Sequence, residues 1–252
     1  MGLHATMGRL RHSVGTILRA PAPTVDPFEA YQLWAARYDD TGDNALLYAE
    51  ERHLRPWFEP EKLQSKDLLD AGCGTGRYLR GLQEFHPRSI TLMDFSPNMI
   101  GHARSKINGS VPVSLHIARV ERLPFKNGSF DFILCTLVLG HVRNLSAAVE
   151  QLSRVLRRGG TIVISCFHPF GHLLGWKRTF HADDGVMAVD FHRHLHSDYL
   201  GAFLKNGLEL TRVEEPIIDE SVRHFYERAG RSDIYARYVG YPMLLLFEVR
   251  KK

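Results

Sequence analysis

The sequence predicts an α/β protein built on a doubly wound, mostly parallel sheet of seven strands. Three observations support this fold class. Short apolar runs alternate along the chain with stretches of helical periodicity, the first run leads into a glycine-rich turn, and the second run ends in an acidic residue. Strands that alternate with helices pack as an open parallel sheet with helices on both faces.

Each element follows from residue spacing and turn signals. Strand-like apolar runs cover residues 67–71, 89–94, 113–117, 130–136, 161–166, 208–213 and 243–249. Helical spacing covers residues 28–38, 45–58, 78–85, 97–107, 146–156 and 197–205. Ser96 is placed as the N-cap of the fourth of these helices, with Pro97 at its first position. The right-handed crossover rule then fixes most of the topology.

The chain divides into a short leader and one domain. Residues 1–25 form a basic, flexible leader, and residues 26–252 form the domain. Within the domain we expect residues 62–166 to be the ligand-binding half and residues 167–252 the substrate-side half. The segment 167–196, rich in aromatic residues and histidine, interrupts the alternation. We expect it to cap the sheet together with the N-terminal helices.

The charge distribution argues against a nucleic-acid partner. The chain has 32 basic and 28 acidic residues, a formal net charge of +4. Six of the basic residues lie near the two ends, namely Arg9, Arg11, Arg19, Arg250, Lys251 and Lys252. The remaining body is slightly acidic, so it has no general attraction for a phosphate backbone.

Cysteine content and the length of the apolar runs indicate the cellular compartment of the protein. Three cysteines in apolar runs, Cys73, Cys135 and Cys166, do not form a disulfide framework and suit a reduced compartment. The apolar runs are shorter than the ~18–20 residues of a membrane span. We therefore expect a cytoplasmic protein without a membrane span, as a monomer or a homodimer.

The glycine-rich turn at residues 70–76 is the most informative motif. Its sequence, Asp-Ala-Gly-Cys-Gly-Thr-Gly, follows a strand and opens a helix, at the sheet edge where ligands bind. The spacing G-x-G-x-G lacks the third glycine of the dinucleotide fingerprint, and no Gly-Lys-Ser/Thr is present for a P-loop. Asp94 follows Gly72 by 22 residues, the interval at which an acidic residue binds ribose hydroxyls.

These motifs together resemble the class I S-adenosylmethionine-dependent methyltransferases. The similarity lies in residues 68–77, 93–99, 123–131, 137–141 and 156–161, and residues 34–39 fit the N-terminal segment of the ubiquinone/menaquinone-biosynthesis type. It covers roughly residues 30–215. The resemblance implies a Rossmann-like methyltransferase fold, S-adenosylmethionine as cofactor, and a small-molecule acceptor.

The resemblance also implies roles for individual residues. The glycines would surround the methionine part of the cofactor, Asp94 would hold both ribose hydroxyls, and Phe95 would pack on adenine. Cys135 and Thr136 would approach the ammonium group through their backbone carbonyls. The full implied cofactor set is Asp70, Gly72, Cys73, Gly74, Gly76, Arg77, Asp94, Phe95, Met99, Arg119, Val120, Cys135, Thr136 and Tyr38.

Two positions depart from the family pattern. Arg119 stands where an acidic residue usually accepts the adenine amino group, and a guanidinium has no acceptor atom. Gly140 stands where the family often has histidine, so His141 is the lone histidine of that stretch.

Methyl transfer needs the nucleophile, methyl carbon and sulfur in line, and it needs a base only if the nucleophile carries a proton. His168, His192 and His141 are the candidate bases. Tyr31, Trp34, Phe167 and Trp176 are the candidate substrate contacts, and these aromatic residues predict a flat or apolar acceptor.

Some alternatives remain open from the sequence. His192, His194 and His196 alternate, so on a strand they would share a face that binds a metal, lines a pocket or meets solvent; we predict no metal. The acceptor could instead be RNA or protein, bound through the basic ends. The chain could also be a non-catalytic methyltransferase-like module, with Arg119 marking a degraded site.

Overall fold

The computed structural model describes residues 22–39, 44–182 and 185–252. Most of the leader predicted over residues 1–25, including Arg9, Arg11 and Arg19, lies outside the described residues. The strands are β1 (Thr24–Val25), β2 (Asp67–Ala71), β3 (Ser89–Asp94), β4 (Val113–Ile117), β5 (Phe130–Thr136), β6 (Leu156–Phe167), β7 (Thr179–Ala182), β8 (Gly185–Val189), β9 (Leu208–Glu214) and β10 (Leu244–Lys251).

The helices alternate with these strands. They are α1 (Pro27–Trp34), α2 (Ala45–Leu54), α3 (Pro60–Leu63), α4 (Leu79–Gln83), α5 (Pro97–Ser105), α6 (Leu145–Val155), α7 (Pro169–Leu173), α8 (His196–Lys205), α9 (Glu220–Arg228) and α10 (Ser232–Tyr238). Ser96 caps α5 as predicted, because its side chain accepts the Met99 N–H. In the described part of the chain, no helix combines the length and apolar character of a membrane span.

The seven-stranded sheet confirms the predicted fold class. Its strand order is β4-β3-β2-β5-β6-β10-β9, and only β10 runs antiparallel to its neighbours among these pairs. The order reverses between β2 and β5, which opens a crevice at the carboxyl ends of the strands. The site described below occupies this crevice.

Alternating side chains of the strands feed two cores, one on each face of the sheet. Leu68 and Phe132 belong to the core under α2, whereas their neighbours Leu69 and Ile133 belong to the core under α6. The strands are therefore apolar on both sides, which is why they read as continuous apolar runs in the sequence.

The segment after β6 forms a second, three-stranded sheet that spacing did not predict. Its order is β1-β8-β7, with β1 parallel to β8 and β8 antiparallel to β7. Residues 24–25 thus pair with residues 188–189, far along the chain. This pairing ties the N-terminal segment to the insert and closes both over the crevice.

The carboxyl-terminal charges belong to the fold rather than to a tail. Arg250 and Lys251 are the last two residues of β10. Lys251 Nζ donates to the carbonyls of Ser153 (2.6 Å) and Leu156 (2.9 Å). The lysine thus adds donors and a positive charge at the C-terminus of α6, where the helix dipole favours a cation.

Candidate cofactor and acceptor site

The glycine-rich turn after β2 is shaped by close backbone approach. The N–H groups of Gly72 and Cys73 both donate to the Met93 carbonyl, at 2.7 and 2.9 Å, which bends the chain sharply across the end of β3. Gly72 has φ +86°, and a Cβ there would lie 2.1 Å from Cγ2 of Val138. Only glycine fits this position.

Asp94 lies at the carboxyl end of β3, where it faces the turn. Its carboxylate accepts the backbone N–H of Gly74 and of Ser96, both at 2.9 Å. Burial raises the pKa of Asp94 to about 6, although these hydrogen bonds to the carboxylate oppose the rise. The structure thus holds a buried carboxylate at the end of β3, where it lines the crevice.

Asp70 is a buried acid immediately before the turn. It is 0% exposed, and neither carboxylate oxygen has a hydrogen-bond partner among residues 22–39, 44–182 and 185–252. Burial raises the pKa of Asp70 to about 7, against the opposing charge of Arg77. Asp70 is thus an unpaired buried acid behind the turn, without access to the cavity.

A cavity of about 250 Å³ opens in front of this turn. It joins the strand ends to the N-terminal helix and the insert. Of the residues predicted from the sequence, those that line it are Tyr31, Tyr38, Gly72, Gly74, Asp94, Phe95, Arg119, Val120, Thr136, His141 and His192.

The remaining predicted residues do not line this cavity. They are Trp34, Asp70, Cys73, Gly76, Arg77, Met99, Cys135, Phe167, His168 and Trp176. Several of them support its walls. Trp34 stacks on Phe180 with ring centroids 5.2 Å apart, and Met99 lies beneath Gly74.

Arg77 works through a buried ion pair instead of contacting the cavity. Its guanidinium donates to Glu50 of α2, which is 0% exposed and also accepts the hydroxyl of Ser165 on β6. The three residues tie the turn to a helix and to a strand. We infer that Arg77 positions the turn.

Arg119 lies over an aromatic ring at the cavity wall. Its Cζ is 5.3 Å from the centroid of Phe95, a cation–π geometry. Both residues line the cavity next to Val120. The basic residue that departs from the family pattern is therefore built into the wall where adenine is expected to pack.

A polar chain with defined donors runs across the inner end of the cavity. Arg178 Nη1 donates to the Tyr31 hydroxyl (2.7 Å), the hydroxyl donates to His141 Nε2 (2.8 Å), and His141 Nδ1 donates to the Asp190 carbonyl (3.1 Å). Burial, reinforced by the charge of Arg178, lowers the pKa of His141 to about 3. His141 is accordingly neutral near pH 7. The lone pair on its Nε2 accepts the hydrogen bond from the Tyr31 hydroxyl.

Arg178 is the site residue that sequence reasoning missed. It lies directly before β7, is buried, and reaches the cavity beside Tyr31 and Tyr38. No motif marks it in the sequence, because its place depends on the pairing of β7 with β8 and on the docking of α1. The only available signal was a basic residue within an aromatic segment.

The three alternating histidines do not share one strand face. Only His192 lines the cavity; His194 binds the Val142 carbonyl through Nε2 (2.7 Å), and His196 starts α8 and pairs with Glu215. The expectation of a common face fails because residues 190–195 are not a strand.

His168, His196 and Glu215 form the cluster with metal-ligand geometry in the described chain. His168 Nδ1 accepts the Phe170 N–H at 3.1 Å, so the neutral ring carries its proton on Nε2, the atom that faces Glu215. A metal on Nε2 would require the other tautomer and break this helix cap. The hydrogen bond to Nδ1 therefore opposes metal binding through Nε2, an atom that lies 3.5 Å from Glu215 without a hydrogen-bond partner in the described chain.

Gly140 leaves room for an aromatic ring. A Cβ at this position would lie 1.9 Å from Cζ of Phe191, whose ring packs edge-on against His141 at 4.7 Å. The second departure from the family pattern therefore has a steric cause, since the insert fills the space of the missing side chain.

Comparison with known proteins identifies the central part of the chain. Residues 69–164 match the family model described as a methyltransferase domain. The match covers less than half of the chain, and the seven-stranded sheet around it has the Rossmann-like methyltransferase fold. The cofactor of such domains is S-adenosylmethionine, and the cavity at the turn and Asp94 is where it is expected to bind in this chain.

Two curated relatives and one solved structure illustrate the similarity. The chain is 34% identical over 100 residues to the malonyl-[acyl-carrier protein] O-methyltransferase of Serratia marcescens, covering 40% of this chain and 38% of that protein. It is 31% identical over 105 residues to the tRNA U34 carboxymethyltransferase of Nautilia profundicola, covering 40% and 34%. These matches span well under half of either relative.

The solved structure extends the likeness to most of the fold. An S-adenosylmethionine-dependent methyltransferase from Mesorhizobium loti superposes with a TM-score of 0.60 at 22% identity, covering 81% of this chain and 98% of that one. At this identity the likeness shows the fold alone.

Proposed function

We propose that this protein transfers the methyl group of S-adenosylmethionine to a small acceptor by in-line displacement. One observation carries the proposal: a single cavity joins the glycine-rich turn and Asp94 to an aromatic, polar end built by the N-terminal helix and the insert. A cofactor at the strand ends and an acceptor at the other end would share one space, as in-line attack requires.

The chain's own residues would bind and orient both partners. Asp94 would accept the two ribose hydroxyls, Phe95 would stack on the adenine under Arg119, and Thr136 would offer its carbonyl to the ammonium. S-Adenosylmethionine supplies a methyl group on a positively charged sulfur. The protein's contribution is then alignment and exclusion of water.

The geometry limits the choice of a protein base. His141, with a pKa of about 3 and its Nε2 engaged by Tyr31, is a weak base near neutral pH. His168 lies outside the cavity. We propose that His192, which lines the cavity, is the remaining candidate base, and that an already ionised acceptor needs none.

We favour a small acceptor over a macromolecule. Aromatic side chains from α1 and polar side chains from the insert line the cavity, which suits a small ligand with an apolar body and a polar group. Relatives act, by their names, on a malonyl-[acyl-carrier protein] and on a tRNA. The ubiquinone/menaquinone type, a domain spanning 26–252, a cytoplasmic location and a monomeric or homodimeric state stay predictions.

Calorimetric titration with S-adenosylmethionine and S-adenosylhomocysteine tests the proposal. The wild-type protein is expected to bind both, and Asp94→Ala is expected to weaken the affinity at least about tenfold, or ~1.4 kcal/mol, because two hydroxyls lose their acceptor. Asp233→Ala, an exposed change on α10, serves as control and should leave the affinity unchanged. No binding at high micromolar ligand would instead favour the non-catalytic module.

A salt series separates the macromolecular alternative. Binding to a tRNA or RNA pool that is strong at low salt and collapses as salt rises would favour an RNA acceptor. Turnover of small acceptors without such binding supports the enclosed-pocket proposal.

A further inference from the structure

Arg178 is a buried cation without a counter-ion. Its side chain is part of a residue that is 4% exposed, and it donates to two hydroxyls, Tyr31 Oη (2.7 Å) and Tyr38 Oη (3.0 Å). Its Nε–H has no acceptor. Among the residues that the structure describes, no carboxylate forms an ion pair with it. A guanidinium has five N–H donors, so most of its donors remain available.

The groups in direct contact with Arg178 are neutral, whereas the carboxylate of Glu50 acts on it only at longer range and is paired with Arg77. Burial raises the pKa of Tyr31, so this hydroxyl stays protonated. The faces of Trp34 and Tyr31 lie 5.2 and 5.6 Å from Cζ and attract the cation without cancelling its charge. His141 is also neutral, as its lowered pKa shows. A buried charge with only neutral partners is costly unless a ligand completes it.

The acidic residues that line the cavity do not pair with Arg178. Asp26 accepts the N–H of Phe28 at the start of α1, Asp94 accepts backbone N–H groups of the turn, and Asp190 accepts its neighbour's N–H. Glu121 lies in the segment after β4 and is not paired with Arg178. In the described chain Arg178 is thus the buried cation of the cavity and the candidate receptor for an anion, since Arg119 and Arg143, which also line the cavity, are exposed.

The position of Arg178 assigns this receptor to the acceptor. It belongs to the insert, and Tyr31 of α1 links it to His141, whereas the ribose-binding features belong to the strand-end turns. We propose that the methyl acceptor carries a carboxylate, which the guanidinium of Arg178 binds within the frame of Tyr31 and Tyr38. The proposal rests on the methyltransferase function proposed above.

Paired ligands test the charge requirement on the wild-type protein. The protein is saturated with S-adenosylhomocysteine and titrated with benzoate against benzamide and with octanoate against octanamide. Each pair differs little in shape but differs in charge. We expect the acids to bind at least about tenfold more tightly than the amides, because a buried guanidinium favours an anion. Equal binding of acid and amide, or binding of neither, would overturn the proposal.

Variants assign the effect to one residue. Arg178→Met is expected to abolish the preference for acids while the affinity for S-adenosylhomocysteine stays within about twofold. Arg212→Met is the matched control: Arg212 also lies over an aromatic ring, Trp57 at 4.4 Å, but belongs to β9 outside the cavity. It should retain the preference. If Arg178→Met does not fold, the titration of the wild-type protein with acids against amides still tests the proposal.

Two further outcomes are distinguishable. If Arg178→Met weakens binding of S-adenosylhomocysteine but not of 5′-methylthioadenosine, which lacks the methionine carboxylate, the guanidinium holds the cofactor and the acceptor proposal is overturned. If the wild-type protein binds no S-adenosylhomocysteine, the function proposed above fails, and this inference fails with it.

Discussion

At the scale of single residues, burial sets the chemistry of the two acids next to the turn. Asp70 and Asp94 both have raised pKa values, about 7 and about 6, because their carboxylates are removed from water. Asp94 is partly compensated by backbone donors, whereas Asp70 has no partner in the described chain. Of the two acids, only Asp94 lines the cavity where a hydroxyl-bearing ligand is expected, while Asp70 lies behind the turn.

The pH dependence of the free energy of unfolding, compared between wild type and Asp70→Asn, tests the raised pKa of Asp70. Since the folded-state pKa of Asp70 lies above its ordinary value of 3.8, the wild-type protein loses stability relative to the variant as pH rises from about 4 to 7. The full difference is on the order of 4 kcal/mol. Urea denaturation of both proteins at a series of pH values measures it.

Asp67→Asn is the control, because the pKa of Asp67 is shifted in the opposite direction to that of Asp70. Burial acts to raise the pKa of Asp67, but hydrogen bonds from Ser89 and Arg157 outweigh it and lower the pKa. Its stabilising contribution is present above the ordinary pKa and is lost as pH falls below about 4. A parallel pH dependence for wild-type and Asp70→Asn proteins would contradict the assignment.

A second prediction at the scale of single residues concerns the stability of a variant at Gly140. Gly140→Ala places a Cβ on the Phe191 ring and is expected to destabilise the protein by about 1–3 kcal/mol. Gly201→Ala on α8, where nothing lies within 4 Å, should be neutral or slightly stabilising. Thermal unfolding of both variants checks this, and equal effects of the two substitutions would argue against the contact.

At the scale of elements, one buried ion pair joins the turn to the helix layer. Glu50 of α2 is fully buried and holds both Arg77 after β2 and Ser165 of β6. Arg77→Met leaves that carboxylate without its cation, so we expect a loss of about 3–5 kcal/mol in the free energy of unfolding.

A second substitution separates the buried charge from simple packing. Adding Glu50→Gln to Arg77→Met removes the unpaired charge and should recover part of the loss, whereas Arg223→Met, which breaks the exposed pair with Glu227 on α9, should change stability by less than about 0.5 kcal/mol. Denaturant midpoints measure all four proteins. No recovery in the double variant would exclude the charge as the cause.

Element prediction succeeded where contacts are local or periodic. The bounds of β2, β3, β4 and β5 agree with the predicted strands, because buried parallel strands are apolar on both faces. The sequence reading missed α9, although Val222, Phe225 and Tyr226 form its buried face. It also missed β1, β7 and β8, whose small sheet depends on the pairing of residues 24–25 with residues 188–189, a contact that local spacing does not indicate.

At the scale of the whole molecule, the cavity exists only when distant segments meet. Its walls come from the strand ends, the N-terminal helix and the insert, which are joined by the β1–β8 pairing. A ligand that bridges them binds the folded state alone and must stabilise it.

We therefore expect a large thermal shift on ligand binding. S-Adenosylhomocysteine at a hundredfold excess over its Kd should stabilise the fold by about 2.7 kcal/mol and raise Tm by roughly 5–10 °C. Differential scanning calorimetry measures the shift, with Asp94→Ala as the variant that should lose most of it at the same concentration. An unchanged Tm at saturation would contradict a site that spans these segments.

The sequence by itself determined the sheet, the glycine-rich turn and the place of Asp94, because these depend on apolar periodicity, on glycine's backbone freedom and on strand order. Only the tertiary structure decided the acceptor end. Arg178, Tyr31 and His141 meet there through pairing between segments more than a hundred residues apart. Local spacing contains no information on such contacts. Burial, which lowers the pKa of His141 and leaves Arg178 with neutral hydrogen-bond partners, arises only when the segments pack.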